Sequence, residues 1–382
     1  MCKSRQIRSL AGMIAVSLFT MVCGQALPAI TEVAPPSPTP VAPATEVAPP
    51  PPTAAPATAA TGPTLAPTVT TSPAPEPTTT DAPPPELLTS DIVPVQGAGV
   101  PPPGAGDSAG PWATRIMLAV SDDGLVFTRT GEIVADQGGV PNVIFDHDGR
   151  VRVYYVAWQG YGRTGGNDGD FIAVAIQDDA GGWVYRRVVI ENPPPAPPGA
   201  GFVDPTVVLL PDGRYRLYYM ADIGNFTLRI FSATSEDGVT FVQDAGERLA
   251  PDEPVFDPMV LQTGNNWLLW AGPDGSYTAT SADGLDFAPA GPFEVGGRRF
   301  MTWSAIALPG NGYRLYGNFV GPGGGELTSV FSVDGLNWQP EPGARLTNAG
   351  ADPAREAGIA PDNGAALSPD GVFLMAYLTL IP

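Results

Sequence analysis

The sequence predicts an all-β protein: a five-bladed β-propeller of four-stranded blades, closed by pairing of its N- and C-terminal hairpins and preceded by a disordered Pro/Thr-rich tether. Three observations predict it. Two kinds of hairpin alternate from about Thr114 to the C-terminus, five of each kind. Copies of one kind recur roughly 46 to 58 residues apart, the period of propeller blades. No stretch carries the 3.6-residue apolar period of a long amphipathic helix.

Residues 1–26 have the form of a signal peptide. Lys3, Arg5 and Arg8 make a basic start, and Leu10 to Val22 is an apolar run too short to span a bilayer comfortably. Two removal sites compete. Gly24-Gln25-Ala26 fits a small-x-small cleavage site, whereas Thr20-Met21-Val22-Cys23-Gly24 resembles a bacterial lipoprotein box, with Cys23 as the lipidated residue. An uncleaved anchor is the third alternative. All three export the remainder, either secreted or held by lipid at a bacterial cell surface.

Residues 27–110 form the linker. From about Pro28 to Pro85 the chain is almost wholly Pro, Thr, Ala, Val, Ser and Glu, with no aromatic residue. Such a segment cannot bury enough apolar surface to offset its chain entropy, so it reads as extended tether. In polyproline form it would reach on the order of 150 Å, at about 3.1 Å per residue.

Composition narrows the chemistry before any motif is considered. Both cysteines, Cys2 and Cys23, lie in the leader, so the domain at 111–382 has neither disulfide nor cysteine–metal site. The net charge of −20 argues against nucleic acid and anionic surfaces as partners, and leaves the membrane approachable only through the N-terminal lipid. His147 is the sole histidine, which removes paired-histidine metal sites and most Ser-His-Asp schemes. It sits in the turn Asp146-His147-Asp148-Gly149 and reads as a loop residue.

The first hairpin type carries Ser-x-Asp-Gly followed by an aromatic residue: Ser121 to Phe127, Ser235 to Phe241, Ser281 to Phe287 and Ser332 to Trp338, with a degenerate copy from Asp178 to Trp183. Asp-Gly supplies a tight turn with positive φ at the glycine, so these are hairpin tips rather than sites. The second type reads PNVIFDHDGRVRVYYV from Pro141, DPTVVLLPDGRYRLYYM from Asp204 and DPMVLQTGNNWLLW from Asp257. Two further copies start at Thr302 and Asp362. The domain begins with the first type and ends with the second, so half a blade is left over at each end. Pairing those halves hides their edges and closes the ring.

In a propeller the first strand of each blade lines the central channel, and its head faces the mouth. Val140, Asp204, Asp257, Thr302 and Asp362 occupy that position. Three carboxylates converging on one concave mouth repel each other and lose solvent, which raises some of their pKa values and can separate an acid from a base. The loop from Trp158 to Asp170 opens on the same mouth. Trp158 and Trp303 are candidate stacking platforms for a sugar ring, with Tyr161 and Arg163 as further substrate contacts. Asp168 and Asp170 offer oxygen ligands for calcium without the spacing of a calcium loop, so no cofactor is expected.

Asp-Pro-Thr-Val-Val, with Pro-Asp-Gly-Arg-Tyr-Arg-Leu-Tyr-Tyr after it, resembles the five-bladed furanosidase superfamily of arabinanase, β-xylosidase and invertase-like glycoside hydrolases. The Ser-x-Asp-Gly repeats are similar to that superfamily and to sialidase Asp boxes. The resemblance implies a base Asp, a pKa-tuning Asp and an acid Glu on three successive blades. In one frame Asp204 is the tuning residue, the base position falls at Val140, which has no carboxylate, and the acid falls near Asp257 or Glu253. Shifted by one blade, Asp204 is the base and Asp257 the tuner, with Glu294 a distant acid. A sialidase-like alternative would draw its arginines from Arg115, Arg163, Arg298, Arg299 and Arg355.

The expectation is a monomeric, exported propeller that hydrolyses glycosidic bonds of an oligo- or polysaccharide with paired carboxylates, Asp204 and Asp257 first, Glu253 next, and Asp362 binding substrate. The alternatives are a non-catalytic carbohydrate-binding module and a protein-binding surface propeller.

Overall fold

The computed structural model describes residues 89–101, 110–158, 170–197, 200–264, 266–272, 275, 277–310, 312–321 and 325–382. Every regular element among them beyond the short 3-10 turn Pro111–Ala113 is a strand. No helix there is long and apolar enough to cross a membrane.

The chain opens with β1 (Thr114–Ser121) and β2 (Thr128–Asp136). The first blade follows as β3 (Gly138–Phe145), β4 (Val151–Ala157), β5 (Phe171–Gln177) and β6 (Trp183–Arg187). After β7 (Val189–Glu191), the second blade is β8 (Phe202–Leu209), β9 (Tyr215–Asp222), β10 (Leu228–Ser235) and β11 (Thr240–Gln243). The third is β12 (Met259–Thr263), β13 (Asn266–Ala271), β14 (Tyr277–Ser281) and β15 (Ala288–Gly291). β16 (Glu294–Val295) leads into the fourth, β17 (Arg298–Ala307), β18 (Tyr313–Phe319), β19 (Thr328–Ser332) and β20 (Gln339–Pro340). β21 (Ile359–Leu367) and β22 (Phe373–Leu380) begin the fifth.

The fifth blade is completed by the other end of the domain. Its strand order is β2-β1-β22-β21, and β1 pairs antiparallel with β22 along its whole length, from Thr114 opposite Leu380 to Ser121 opposite Phe373. The ring is closed as its hairpin order requires, and no blade is left with half a sheet.

Two sheets gain a fifth strand. β7 runs parallel to β11, Val189 opposite Thr240, and β16 pairs with β17. Each is a connecting segment that covers an otherwise open edge. Part of the segment 27–110 also makes contacts with the ring. Within it, Asp91 N donates to the Tyr185 carbonyl at 3.1 Å, the Asp91 carboxylate receives Arg186 Nε at 2.8 Å, and Gly97 N donates to Asp136 Oδ2 at 2.6 Å. Residues 89–101 therefore dock along β6 of the first blade and the end of β2 in the fifth, because backbone donors and one acid find partners there despite a linker-like composition.

The core is five separate clusters, each shared by two neighbouring blades. Tyr154, Ile172 and Val174 meet Leu217, Tyr219 and Phe241 between the first and second. Ile116 and Leu118 meet Val153 and Tyr155 at the seam between the fifth and first. Alternate side chains of one strand serve opposite neighbours: Tyr218 packs toward the third blade and Tyr219 toward the first. Strands buried on both faces read as continuous apolar runs, which explains the Tyr-Tyr pairs.

The Ser-x-Asp-Gly tips are self-contained. Ser281 Oγ accepts from Gly284 N at 3.0 Å, and Asp283 Oδ1 accepts from Leu285 N at 2.8 Å and Asp286 N at 3.0 Å. The other three copies repeat this pattern. Three tips are also stapled to the preceding blade. Tyr154 donates to the Gly238 carbonyl, Tyr218 to that of Gly284 and Tyr316 to that of Gly124, at 2.8, 2.7 and 2.9 Å. Arg152, Arg216 and Arg314, two residues before each tyrosine, bind the carbonyl one residue earlier. His147 lies in a neighbouring turn, its Nε2 2.6 Å from the Gly213 carbonyl, as expected of a loop residue.

Candidate active site

The innermost strands β3, β8, β12, β17 and β21 enclose a central channel of about 310 Å³, lined by groups such as Val143, Val207, Leu261, Ala305 and Ala365. That lining is largely apolar, and the carboxylates lie above it, where the strands enter. Four of these strands are bulged at that level, between Gly139 and Asn142, Val203 and Thr206, Thr302 and Ser304, and Ile359 and Asn363. Val140, Asp204 and Asp257 have φ of 46°, 57° and 52°. Aspartate tolerates the left-handed region because its side chain can bond locally, but for a β-branched valine it is strained. The backbone is thus specialised at the same level in three blades, and the bulges re-aim side chains toward the mouth.

Below the acids runs a polar ring. Asn142 Oδ1 accepts from Val207 N at 3.0 Å, Thr206 Oγ1 donates to the Pro258 carbonyl at 2.5 Å, and Ser304 Oγ donates to Asn363 Oδ1 at 2.9 Å. Gly364 is needed here, since a Cβ would stand 2.5 Å from the Pro141 carbonyl oxygen. These contacts tie the mouth ends of neighbouring inner strands together and hold the acids at a common height.

Asp204, Asp257 and Asp362 are 8 %, 8 % and 3 % exposed. Burial pushes Asp204 up to about 6, opposed by the amide of Asp257, which donates to Asp204 Oδ2 at 3.3 Å. Burial, with the field of Asp204, holds Asp362 at about 7. Asp257 is raised well above the usual carboxylate range by burial and by both other acids. The structure therefore brings these three predicted residues together. It adds Asp170, raised to about 7 by burial and by Asp204. Asp170 entered the sequence reading only as a calcium ligand. It heads β5 in a non-repeated loop, so no periodic signal marks it.

Glu253 is not part of this group. It is exposed, accepts from the Tyr277 hydroxyl at 2.5 Å, and is held below the usual glutamate range by that bond. Three residues of irregular chain, Pro254 to Phe256, separate it from Asp257. Glu294 is exposed in β16. Trp303 is 7 % exposed and donates to Asn318 Oδ1 at 2.8 Å, leaving little ring surface for stacking. Trp158 is half-buried against Trp112, with centroids 5.9 Å apart, and its Nε1 has no partner. Tyr161, Arg163 and Asp168 lie outside the described residues, as do Cys23 and the signal segment. Of the sialidase-type arginines, Arg115 is engaged by Asp136 at 2.5 Å and by the Arg355 carbonyl, Arg355 by Asp352, and Arg298 covers the Phe319 ring. Among the described residues no group of three or more His, Cys, Asp or Glu side chains is placed to hold a metal ion.

No protein-family model matches the chain, and no curated protein matches it. Similar solved structures include an α-L-arabinofuranosidase from Clostridium thermocellum, at 15 % identity and a TM-score of 0.47, covering 63 % of this chain and 81 % of that one. A glycosyl hydrolase from Bacteroides ovatus has 15 % identity and a TM-score of 0.41, covering 63 % and 83 %. A thermostable family-43 glycoside hydrolase has 16 % identity and a TM-score of 0.41, covering 56 % and 77 %. The chain's own strand pairing shows the five-bladed ring, the architecture that its resemblance to the furanosidase propellers implies.

Proposed function

We propose that this protein is a glycosidase-type propeller that hydrolyses glycosidic bonds of an extracellular oligo- or polysaccharide, with Asp204 and Asp257 as the working pair. One observation carries the reading: aspartates from the second, third and fifth blades are gathered, buried, at a single channel mouth and hold their protons to different pH. Separated pKa values in two neighbouring carboxyls are what glycoside hydrolysis requires, one protonated to release the leaving oxygen and one ionised to act as base or nucleophile. Asp204, which receives the Asp257 amide, is the ionised member; Asp257 is the acid. Asp362 sustains the proton on Asp257 through its own charge and contacts substrate.

In this reading the chain is exported by residues 1–26, with Cys23 acylated or the leader cleaved, and acts as a monomer at the cell surface on the tether. A screen of aryl-glycosides and a glycan array, run on wild type and Asp204→Asn, tests the activity. Turnover that disappears in the variant supports hydrolysis. A second reading, a carbohydrate-binding module, is favoured by Val140, which puts an apolar side chain where the resemblance places a base; binding without turnover in wild type would select it.

A further inference from the structure

Resting on the carbohydrate reading above, we infer that the mouth is built for a cationic sugar: a unit carrying a protonated amine, whose ammonium group is held by Asp204 and Asp362 together with the Thr302 hydroxyl. Three carboxylates at the heads of inner strands share this space with Asp170: the field of Asp204 acts on Asp170, Asp257 and Asp362, and that of Asp362 on Asp257. Ion pairs of other buried carboxylates run elsewhere in the ring, Arg115 to Asp136 and Arg152 to Asp146. Buried carboxylates without a counter-charge are expensive, and only protons or a bound cation relieve them.

Two buried atoms point to a ligand. Among the described residues, Asp362 Oδ1 and Thr302 Oγ1 have no hydrogen-bond partner, and both residues are 3 % exposed. Thr302 takes the fourth blade's place in the series of mouth residues. It pairs with Gly317, two residues from the Leu315 that pairs with Ala305, so it lies on the face of β17 turned toward the third blade. At the mouth end of that blade stands Asp257. Its hydroxyl, on that face at the level of the mouth, has no hydrogen-bond partner among the described residues.

An ammonium group presents three N–H donors around one positive charge, matching carboxylate oxygens and a hydroxyl approached from different blades. A neutral hydroxyl would leave the charge uncompensated, and a uronate or sialate would be repelled.

Titration calorimetry of the mature protein at pH 7.5 tests this with a tetramer of β-1,4-linked glucosamine and its fully N-acetylated counterpart. The amine tetramer is expected to bind at least about 30-fold more tightly, the low end of what one partner of a buried charge pair contributes. Asp362→Asn should remove that preference. Thr302→Val, which keeps the shape, should weaken amine binding by about tenfold while leaving the melting transition cooperative. Affinity should fall as pH drops below about 6, where Asp204 takes up its proton. Equal affinities for the two tetramers overturn the assignment, as does unchanged amine binding by both folded variants. Thermal protection by calcium chloride with none by the amine tetramer overturns it in favour of a metal. Hydrolysis of a neutral glycoside without amine preference removes this inference and leaves the hydrolase; amine binding without turnover does the reverse.

Discussion

The same residue does opposite things at the two ends of the propeller. At the base, the Ser-x-Asp-Gly residues Asp123, Asp283 and Asp334 are solvent-exposed and receive two backbone amides and a serine hydroxyl each, which pulls Asp283 down to about 2 and lowers the other two. At the mouth, Asp204, Asp257 and Asp362 are buried together and desolvation outweighs the few amides that reach them, that of Asp257 on Asp204 and Asp362's own, so all three rise. Donors stabilise the carboxylate at one end, and desolvation with like charge destabilises it at the other. Turn aspartates and mouth aspartates are thus separated by their hydrogen-bond donors and burial, not by residue type.

The largest expected effect that would break this contrast is at the base. Tyr316→Ala removes a fully buried ring and its bond to the Gly124 carbonyl, across the junction of the fourth blade with the closing fifth. It should cost about 3–5 kcal/mol in urea unfolding and leave any residual turnover with an unchanged pH profile.

Next in size is a gain at the mouth. The unfolded carboxyl of Asp362 titrates near 3.8 and the folded one at about 7, so the folded state binds the extra proton between those values. The group imposes no penalty below pH 4, and stability falls as pH rises toward 7. Asp362→Asn should therefore stabilise by about 2–4 kcal/mol at pH 8 and by almost nothing at pH 4, read from melting curves at both. Loss of stability at pH 8 would mean that the carboxylate is compensated there.

Turnover should be bell-shaped in pH. It needs Asp204 ionised, above about 6, and Asp257, which burial and the other two acids raise well above the usual carboxylate range, still protonated. A plateau extending to pH 9 would exclude these acids from the chemistry.

Asp283→Ala removes the acceptor for two exposed turn amides and should cost about 1 kcal/mol at pH 7. Because this carboxyl is depressed, its contribution is present above pH 4 and fades as pH falls through about 2, opposite in sign to the mouth. Smallest of all, Glu253→Gln should change stability and turnover by less than about 0.5 kcal/mol, since the side chain is exposed and bonded only to Tyr277.

Much of the ring was legible. Turn glycines and the Asp of each box set the hairpins through local φ and local hydrogen bonds, and the order of hairpin types foretold the β1–β22 seam. The mouth position of Asp204 followed from the same register. The staples were present as Arg-Val-Tyr and twice Arg-Leu-Tyr at a constant place in the repeat, yet their target lies in the following blade, more than 60 residues away. Asp170 was legible as an acid but not as a neighbour of Asp204, because a loop that does not repeat carries no register. Glu253 illustrates the converse: nearness to Asp257 in sequence says nothing about facing the same solvent.

The chain by itself determines which segments pair and turn, because those choices rest on φ preferences, alternation and bonds within a few residues. It also determines charge, and hence the absence of lysines to neutralise the domain's acids. Which aspartates lose their water and feel each other's fields is decided only when five blades meet around one axis, since desolvation and Coulomb repulsion depend on distances that no local segment specifies.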